Sequence, residues 1–279
     1  MQSHVSAMHV LKKKWKRIKS ENYVRWIIKQ MQITDESSSN TFNKIIELFF
    51  EKEKVGINFP LNDIILTDNI FQKVKELQPT LFTEEHFNKN QLLECTGYTL
   101  IFKNNTATVL IKNDDFTKNF LWIETLVHEL THVKDFNDYL PIIKENNFYE
   151  MLHNIPFWYW TEFHARYKGY VYMLEFAQRL PEPYFQQYIN DSMKRIEDFN
   201  TLFNGHEDYH LKIYYTMHLM GEILAYEYKG INIDDKSIAK ENNWFDKMKE
   251  FLRKHTENVS ISDMLLLSMN ANKIFCKNG

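Results

Sequence analysis

The sequence has little of what stops helices or cross-links chains. Its 279 residues include only seven glycines and six prolines, so few positions end or bend a helix. The two cysteines, Cys95 and Cys276, lie far apart without metal-ligand spacing, which argues against a disulfide scaffold and predicts a reducing compartment. We therefore expect a mostly helical, globular protein of the cytoplasm.

Long apolar runs and a dominant charge are also missing. No stretch approaches the roughly 20 unbroken apolar residues that span a bilayer, and no apolar run follows the basic start of the chain as in a secretory signal. The 34 basic and 37 acidic residues leave a net charge of −3, so no overall field attracts nucleic acid. We expect neither a membrane nor nucleic acid as the main partner.

Hydrophobic patterning predicts an α+β fold in which helices dominate. Three β-rich runs, Asp63 to Thr67, Gly97 to Phe102 and Ala107 to Lys112, predict a small sheet of about three strands. We expect helices over about residues 9–31, 41–54, 70–77, 118–136, 156–180, 183–203, 207–228, 236–255 and 262–275.

The pattern H-E-x-x-H occurs twice, at His128 to His132 and at His206 to His210. In a helix, histidines four residues apart are separated by about 40° around the axis, so both imidazoles can bind one zinc ion. A glutamate directly after the first histidine is rotated by about 100° and can reach a zinc-bound water without being a ligand. The pattern therefore predicts zinc, with Glu129 as the general base in the first copy.

The flanking residues favour the first copy as the metal site. His128 and His132 lie in an apolar segment without proline or glycine from residue 118 to residue 140, which predicts a rigid, buried helix. The second copy follows Gly205 and contains Asp208, so its first histidine falls at the start of a helix. We interpret the second copy as polar residues on a packing helix.

A catalytic zinc usually takes three protein ligands, and a later helix offers the third. Glu162, Ala165 and Gly169 lie on one helical stripe, whose small residues would let this helix approach the motif helix closely. We predict Glu162 as the ligand. His164 is the nearest rival, although it is turned about 200° from Glu162 around the helix.

Two acids beside the motif are candidates for outer-shell roles. Asp135 follows His132 by three residues, and Glu124 precedes His128 by one turn. Each could accept a hydrogen bond from a ligand imidazole, Asp135 could itself be a ligand, and ordinary solvated helix surface is the alternative for both.

Hydrolysis of a peptide also requires a donor for the oxyanion besides zinc. The candidates are His210, Tyr214, Tyr167 and Arg166. We choose His210 as the catalytic candidate because it shares a helix face with apolar residues and so faces inward.

These features together resemble the gluzincin metallopeptidases, in particular the ImmA/IrrE-type intracellular enzymes of bacteria and mobile elements. The resemblance covers roughly Asp63 to Leu180 and depends on "TATVLIKNDD", "FLWIETLVHELTH" and "TEFHAR", with Thr131 where the family usually has glycine. It implies a zincin-like fold, zinc on His128, His132 and Glu162, and hydrolysis of a protein or peptide substrate such as a repressor.

The resulting organisation has three parts. Residues 1–40 would form a basic helix and a hinge at "TDESSSN", residues 41–180 the zincin-like catalytic core, and residues 181–279 a helical subdomain packed on that core. Two other functions stay open. One is a regulatory protein that keeps the zinc fold and binds a repressor or nucleic acid, and the other is a zinc hydrolase that does not cleave peptides. Glu129 favours an enzyme, because a structural zinc site does not require it.

If the first copy holds the metal, replacing both His206 and His210 with alanine should leave the zinc content unchanged. Metal analysis of this purified variant beside the His128→Ala, His132→Ala double variant tests the assignment. Loss of zinc from the folded His206→Ala, His210→Ala protein would move the site to the second copy.

Overall fold

A computed structural model of the chain describes residues 36–56, 58–79, 95–113, 121–179, 182–197, 208–233 and 244–275. Over these ranges the protein is mostly helical with one mixed sheet of three strands, which confirms the α+β class. None of the described helices is long and apolar enough to cross a bilayer. The elements are α1 (Glu36–Lys52), β1 (Leu61–Thr67), α2 (Ile70–Leu77), β2 (Gly97–Phe102), β3 (Thr106–Lys112), α3 (Leu121–Ile143), α4 (Phe148–Met151), α5 (Ile155–Ala177), α6 (Glu182–Glu197), α7 (Tyr209–Tyr228), α8 (Phe245–Arg253) and α9 (Ile261–Phe275).

The chain divides into two compact units. The first comprises Met1–Ile101 and Thr106–Thr117, and the second comprises Phe102–Asn105 and Lys118–Gly279. The division does not fall near residues 40 and 180, where the sequence suggested boundaries, and helices on both sides of residue 180 belong to the second unit. The basic helix expected at residues 9–31 lies outside the described residues.

The segment expected to be a hinge is helical where the structure describes it. Glu36–Asn40 belong to α1, so the hinge prediction was wrong for these residues. Serine and asparagine favour turns because their side chains bond to nearby backbone groups, but the same property favours the first turns of helices. Composition alone therefore could not separate a hinge from a helix start.

The sheet of the first unit has the order β1-β3-β2, with β1 parallel to β3. Ile64 lies opposite Val109 and Ile65 opposite Leu110. The central strand β3 is buried continuously from residue 107 to residue 111, as expected for a strand with a neighbour on each side. All three strands predicted from the sequence are confirmed, and β2 has the predicted bounds.

Helix α5 is the centre of the second unit, because α3, α7 and α9 all pack against it. Its buried residues occur on all sides, as a helix with several packed neighbours requires. Asn154 caps its first turn by accepting a hydrogen bond from the Phe157 backbone N–H, and Pro156 follows in the first turn, where it has no helical bond to lose.

Two glycines allow three of these helices to approach closely. A Cβ atom added to Gly169 on α5 would lie 2.7 Å from the backbone oxygen of Glu124 on α3. One added to Gly221 on α7 would lie 2.8 Å from both the Phe163 oxygen and the Tyr167 nitrogen on α5. The close approach predicted from the small-residue stripe is confirmed at Gly169.

Replacing Gly169 or Gly221 with alanine should destabilise the protein. Alanine normally stabilises a helix by about 1 kcal/mol relative to glycine. Here the added methyl meets backbone atoms that cannot swing away, and such overpacking costs about 1–3 kcal/mol. Chemical unfolding would measure the loss, with Gly56→Ala as the control because no atom lies within 4 Å of its added Cβ. Wild-type stability in both helical variants would contradict the close packing.

Candidate metal centre

Three helices of the second unit bring together four side chains of types that can bind metals: His128 and His132 on α3, Glu162 on α5 and His218 on α7. The Nε2 atoms of His128 and His132 are 3.0 Å apart. A Glu162 carboxylate oxygen lies 3.8 Å from each of these nitrogens, and Oε2 lies 2.9 Å from His218 Nε2. Ligand atoms around a tetrahedral zinc are about 3.3 Å apart. The spacing therefore suits a metal ion.

The sequence predicted three of these side chains but missed His218. The ligand atoms of His128, Glu162 and His218 all lie within 4.8 Å of one another, so this group could hold a metal ion. His218 stands far from the motif in sequence and belongs to no ligand pattern. One signal could have found it: Gly221 lies three residues later on the same apolar helix, and Gly169 lies on the Glu162 helix, seven residues after Glu162.

Asp135 orients His132 through a hydroxyl group. The Thr161 hydroxyl donates to Asp135 Oδ2 at 2.8 Å, and His132 Nδ1 lies 3.0 Å from the same hydroxyl oxygen. A hydroxyl has one proton, which here goes to the carboxylate, so His132 Nδ1 must be the donor in the second contact. Its other nitrogen, Nε2, then carries a lone pair next to His128. A carboxylate fixes the tautomer of a metal-bound imidazole in the same way, here with Thr161 in between.

The hydrogen-bonding state of the His128 ring shows whether a cation fits between the four side chains. Its Nδ1 is buried without a hydrogen-bond partner among the described residues and lies 3.7 Å from Glu124 Oε1. That carboxylate favours a proton on Nδ1, which leaves a second lone pair on Nε2, 3.0 Å from the lone pair of His132. A cation bound between the two nitrogens satisfies both lone pairs. Without a cation, His128 carries its proton on Nε2 and donates it to His132 Nε2 at the same distance. The donor set of imidazoles and a carboxylate fits zinc.

Burial determines the protonation of the four donors. It lowers the pKa of His128 and of His218 well below the usual value, with Arg166 adding to both effects, and it lowers the pKa of His132. Burial also raises the pKa of Glu162, against the opposing influence of His132 and Arg166. Neutral imidazoles are the form that binds metal, and a divalent cation would stabilise the buried carboxylate.

Arg166 carries a fixed positive charge beside this group. Its Nη1 donates to Glu124 Oε1 at 2.9 Å, and its Nη2 lies 3.9 Å from Glu222 Oε2. Burial acts to lower the pKa of Arg166, but the net shift is upward because Glu124, Tyr170 and Glu222 stabilise the charged form. Glu124 thus connects the Arg166 charge to His128, and because Glu124 and Asp135 are both buried, neither is ordinary solvated surface.

Tyr214 on α7 lies in the same electrostatic environment. Burial raises its pKa well above the usual value, the Glu162 and Glu129 carboxylates add to the shift, and Arg166 opposes it. Its ring centroid is 4.1 Å from that of His218. The phenol therefore keeps its proton, and its ring packs against the His218 imidazole.

Two other oxyanion candidates have different neighbours. His210 lies in the first turn of α7, about 12 Å along the helix axis from His218, and its Nδ1 is 3.0 Å from the Tyr159 hydroxyl. Tyr167 packs its ring against Tyr228. In the described part of the chain neither contacts the four donors, so their catalytic roles stay predictions.

His164, the rival third ligand, is turned away from the donors. Its Nδ1 lies 2.9 Å from Asp135 Oδ1, and its ring stacks on Trp160. Asp135 therefore contacts His164 and Thr161, and it reaches His132 only through the threonine.

The second H-E-x-x-H copy ends in the first turn of α7. The helix begins at Tyr209, and its N-cap residue Asp208 accepts a hydrogen bond from the His210 backbone N–H at 2.8 Å. His206 lies outside the described residues. That this copy binds no metal stays a prediction.

Comparison with known proteins found no relative: no family model, curated protein or solved structure matches the chain. The fold and site define a mostly helical α+β protein with a partly buried group of histidines and a glutamate that could hold a metal ion.

Thr161→Val should weaken metal binding without removing a ligand. The valine keeps the shape of the side chain but leaves His132 Nδ1 without its acceptor, and loss of such an outer-shell partner typically lowers metal affinity 10–100-fold. Zinc titration against a competing chelator measures the change. Thr216→Val is the matched control, because this buried hydroxyl donates to the Lys212 oxygen within α7. Equal zinc affinity in the two variants would contradict the relay from Asp135.

Proposed function

We propose that the protein is a zinc-dependent peptidase similar to the gluzincins, of the ImmA/IrrE type, which hydrolyses a peptide bond in a protein inside the cell. One observation carries the proposal. His128 and His132 face Glu162 at 3.8 Å, while Glu129, next to His128 in sequence, is buried but lies outside this donor group. A structural zinc site has no use for that additional carboxylate.

The ligands would be His128, His132 and Glu162. A zinc ion bound there supplies a Lewis acid for the scissile carbonyl and lowers the pKa of a water molecule to about 7. Asp135, through Thr161, keeps the proton of His132 on the nitrogen that faces away from the metal. Glu124 favours the same tautomer of His128 from 3.7 Å.

Glu129 is the residue to which we assign general-base catalysis. Its position one residue after His128 turns it by about 100° around α3, away from the ligand direction. Its side chain is buried, and its negative charge contributes to the raised pKa of Tyr214, whose shift is caused mainly by burial. From there it accepts the proton of the attacking water and returns it to the leaving amine.

Tyr214 is the residue to which we assign the oxyanion. Burial and the neighbouring carboxylates keep its phenol protonated at neutral pH, because they raise its pKa. A protonated donor that is already in place where negative charge develops stabilises the transition state. His210, chosen for this role from the sequence, contacts Tyr159 and has no such position.

Glu129→Gln should abolish turnover while the protein stays folded and keeps its zinc. The amide has the size of the carboxylate but cannot take a proton, and general-base assistance is worth roughly 10²–10⁴-fold in rate. The assay would co-express the protein with candidate substrates, beginning with repressor proteins, and would look for cleavage that a chelator stops.

Glu162→Ala provides the contrast, because removal of a ligand should abolish zinc binding and activity together. If Glu129→Gln keeps the full biological effect of the wild type, the peptidase proposal fails, and a binding protein that acts on a repressor or on nucleic acid takes its place.

A further inference from the structure

The proposed ligand set leaves one donor of the cluster without a role. His218 Nε2 lies 2.9 Å from Glu162 Oε2, and the rings of His218 and His128 are 5.4 Å apart between centroids. His218 belongs to the group whose ligand atoms all lie within 4.8 Å of one another. A metal bound to Glu162 and His128 is therefore also within reach of His218.

The second ring nitrogens of the three histidines have different surroundings. His132 Nδ1 is held by Thr161 and Asp135, and His128 Nδ1 faces Glu124. Within the described residues Glu162 is the hydrogen-bond partner of His218, and no carboxylate holds its second nitrogen.

The exposure of the His218 side chain and its position on another helix also distinguish it from the other two histidines. The His218 side chain is 18% exposed, against 10% for His128 and for His132. It also lies on α7, whereas both motif histidines lie on α3. Since outer-shell hydrogen bonds are what fix ligating histidines, His218 would be the easiest of the three to release.

The geometry points to His218 as a fourth, releasable protein ligand, so that four side chains close the resting metal site and water enters only when His218 leaves. This inference rests on the proposed zinc function. Structural zinc sites have four protein ligands, whereas catalytic sites have three and an open position. Release of His218 converts the first arrangement into the second, which would restrain a peptidase that works among cellular proteins.

The number of imidazoles on the metal tests the first half of the inference. X-ray absorption of the zinc-loaded, full-length protein should give three imidazoles for the wild type and two for His218→Ala. His255→Ala, which removes a histidine at the end of α8, is the matched control and should keep three. Zinc affinity should fall in His218→Ala by at least the roughly 10–100-fold that loss of an outer-shell partner costs.

Binding of acetohydroxamate to the cobalt-substituted protein tests the second half. In the wild type this small anion must displace His218, so its affinity is reduced by the fraction of molecules in which the position is open. We expect His218→Ala to bind it at least about 10-fold more tightly than the wild type and the His255→Ala control, as followed by the visible spectrum of cobalt.

Each outcome separates this inference from the proposed function. Two imidazoles in the wild-type zinc protein, unchanged in His218→Ala, would refute the fourth ligand and leave the peptidase proposal standing. Equal hydroxamate affinity in wild type and variant would refute the release. A folded wild type that binds no zinc would refute the proposed function itself. If His218→Ala does not fold, the wild-type imidazole count and the His218→Asn variant still decide.

Discussion

The close packing of α5 between α3 and α7 is the constraint on which the candidate site depends. Histidine and glutamate side chains are short, so groups from three helices reach within 3 to 4 Å of one another only if the helix backbones nearly touch. Gly169 and Gly221 provide this contact, since an added Cβ at either position would lie under 3 Å from backbone atoms of the neighbouring helix. A side chain there would separate the helices and the donors together, and metal binding tolerates only small displacements.

The polar groups around the donors form two sets, one beside His128 and one beside His132. Beside His128, the charge of Arg166 is balanced by Glu124 and Glu222. Beside His132, Asp135 receives hydrogen bonds from Thr161 and His164. The carboxylates of both sets are buried and Arg166 is partly exposed. Unpaired charges at such positions would be costly, so the stability of the helix packing and the orientation of the donors depend on the same contacts. Binding of a metal would add to this packing rather than create it.

Local sequence patterns predicted the strands and helices well, because these elements form largely through interactions between residues that are close in sequence. The alternating β-rich runs gave all three strands, and the bounds of α2 are those expected from its apolar spacing. The motif spacing and the stripe with Gly169 identified three of the four donors, since those signals lie within single helices. The prediction of a hinge was wrong for residues 36–40, because a polar composition suits both a turn and the start of a helix.

The missed features are those that depend on which helices meet. His218 carries no ligand spacing of its own, and only the packing of α7 on α5 places it beside Glu162. The same holds for Thr161, which has no recognisable pattern yet transmits the orientation of Asp135 to His132. His210 was chosen because it shares a helix face with apolar residues. A helix face is long, however, and His218, which contacts Glu162, lies about two turns further along α7.

Glu129 and Tyr214 separate a catalytic interpretation of this site from a structural one. A site that only stabilises the fold needs its donors and their hydrogen-bond partners, and it does not require a further carboxylate directly after one of its histidines. Here Glu129 is buried directly after His128, and burial, together with the charges of Glu162 and Glu129, raises the pKa of Tyr214 on α7. Groups with pKa values displaced in this way, gathered around a metal-binding cluster, are a feature of sites that transfer protons. A general-base role for Glu129, as proposed above, would give this carboxylate a function that a purely structural metal site does not have.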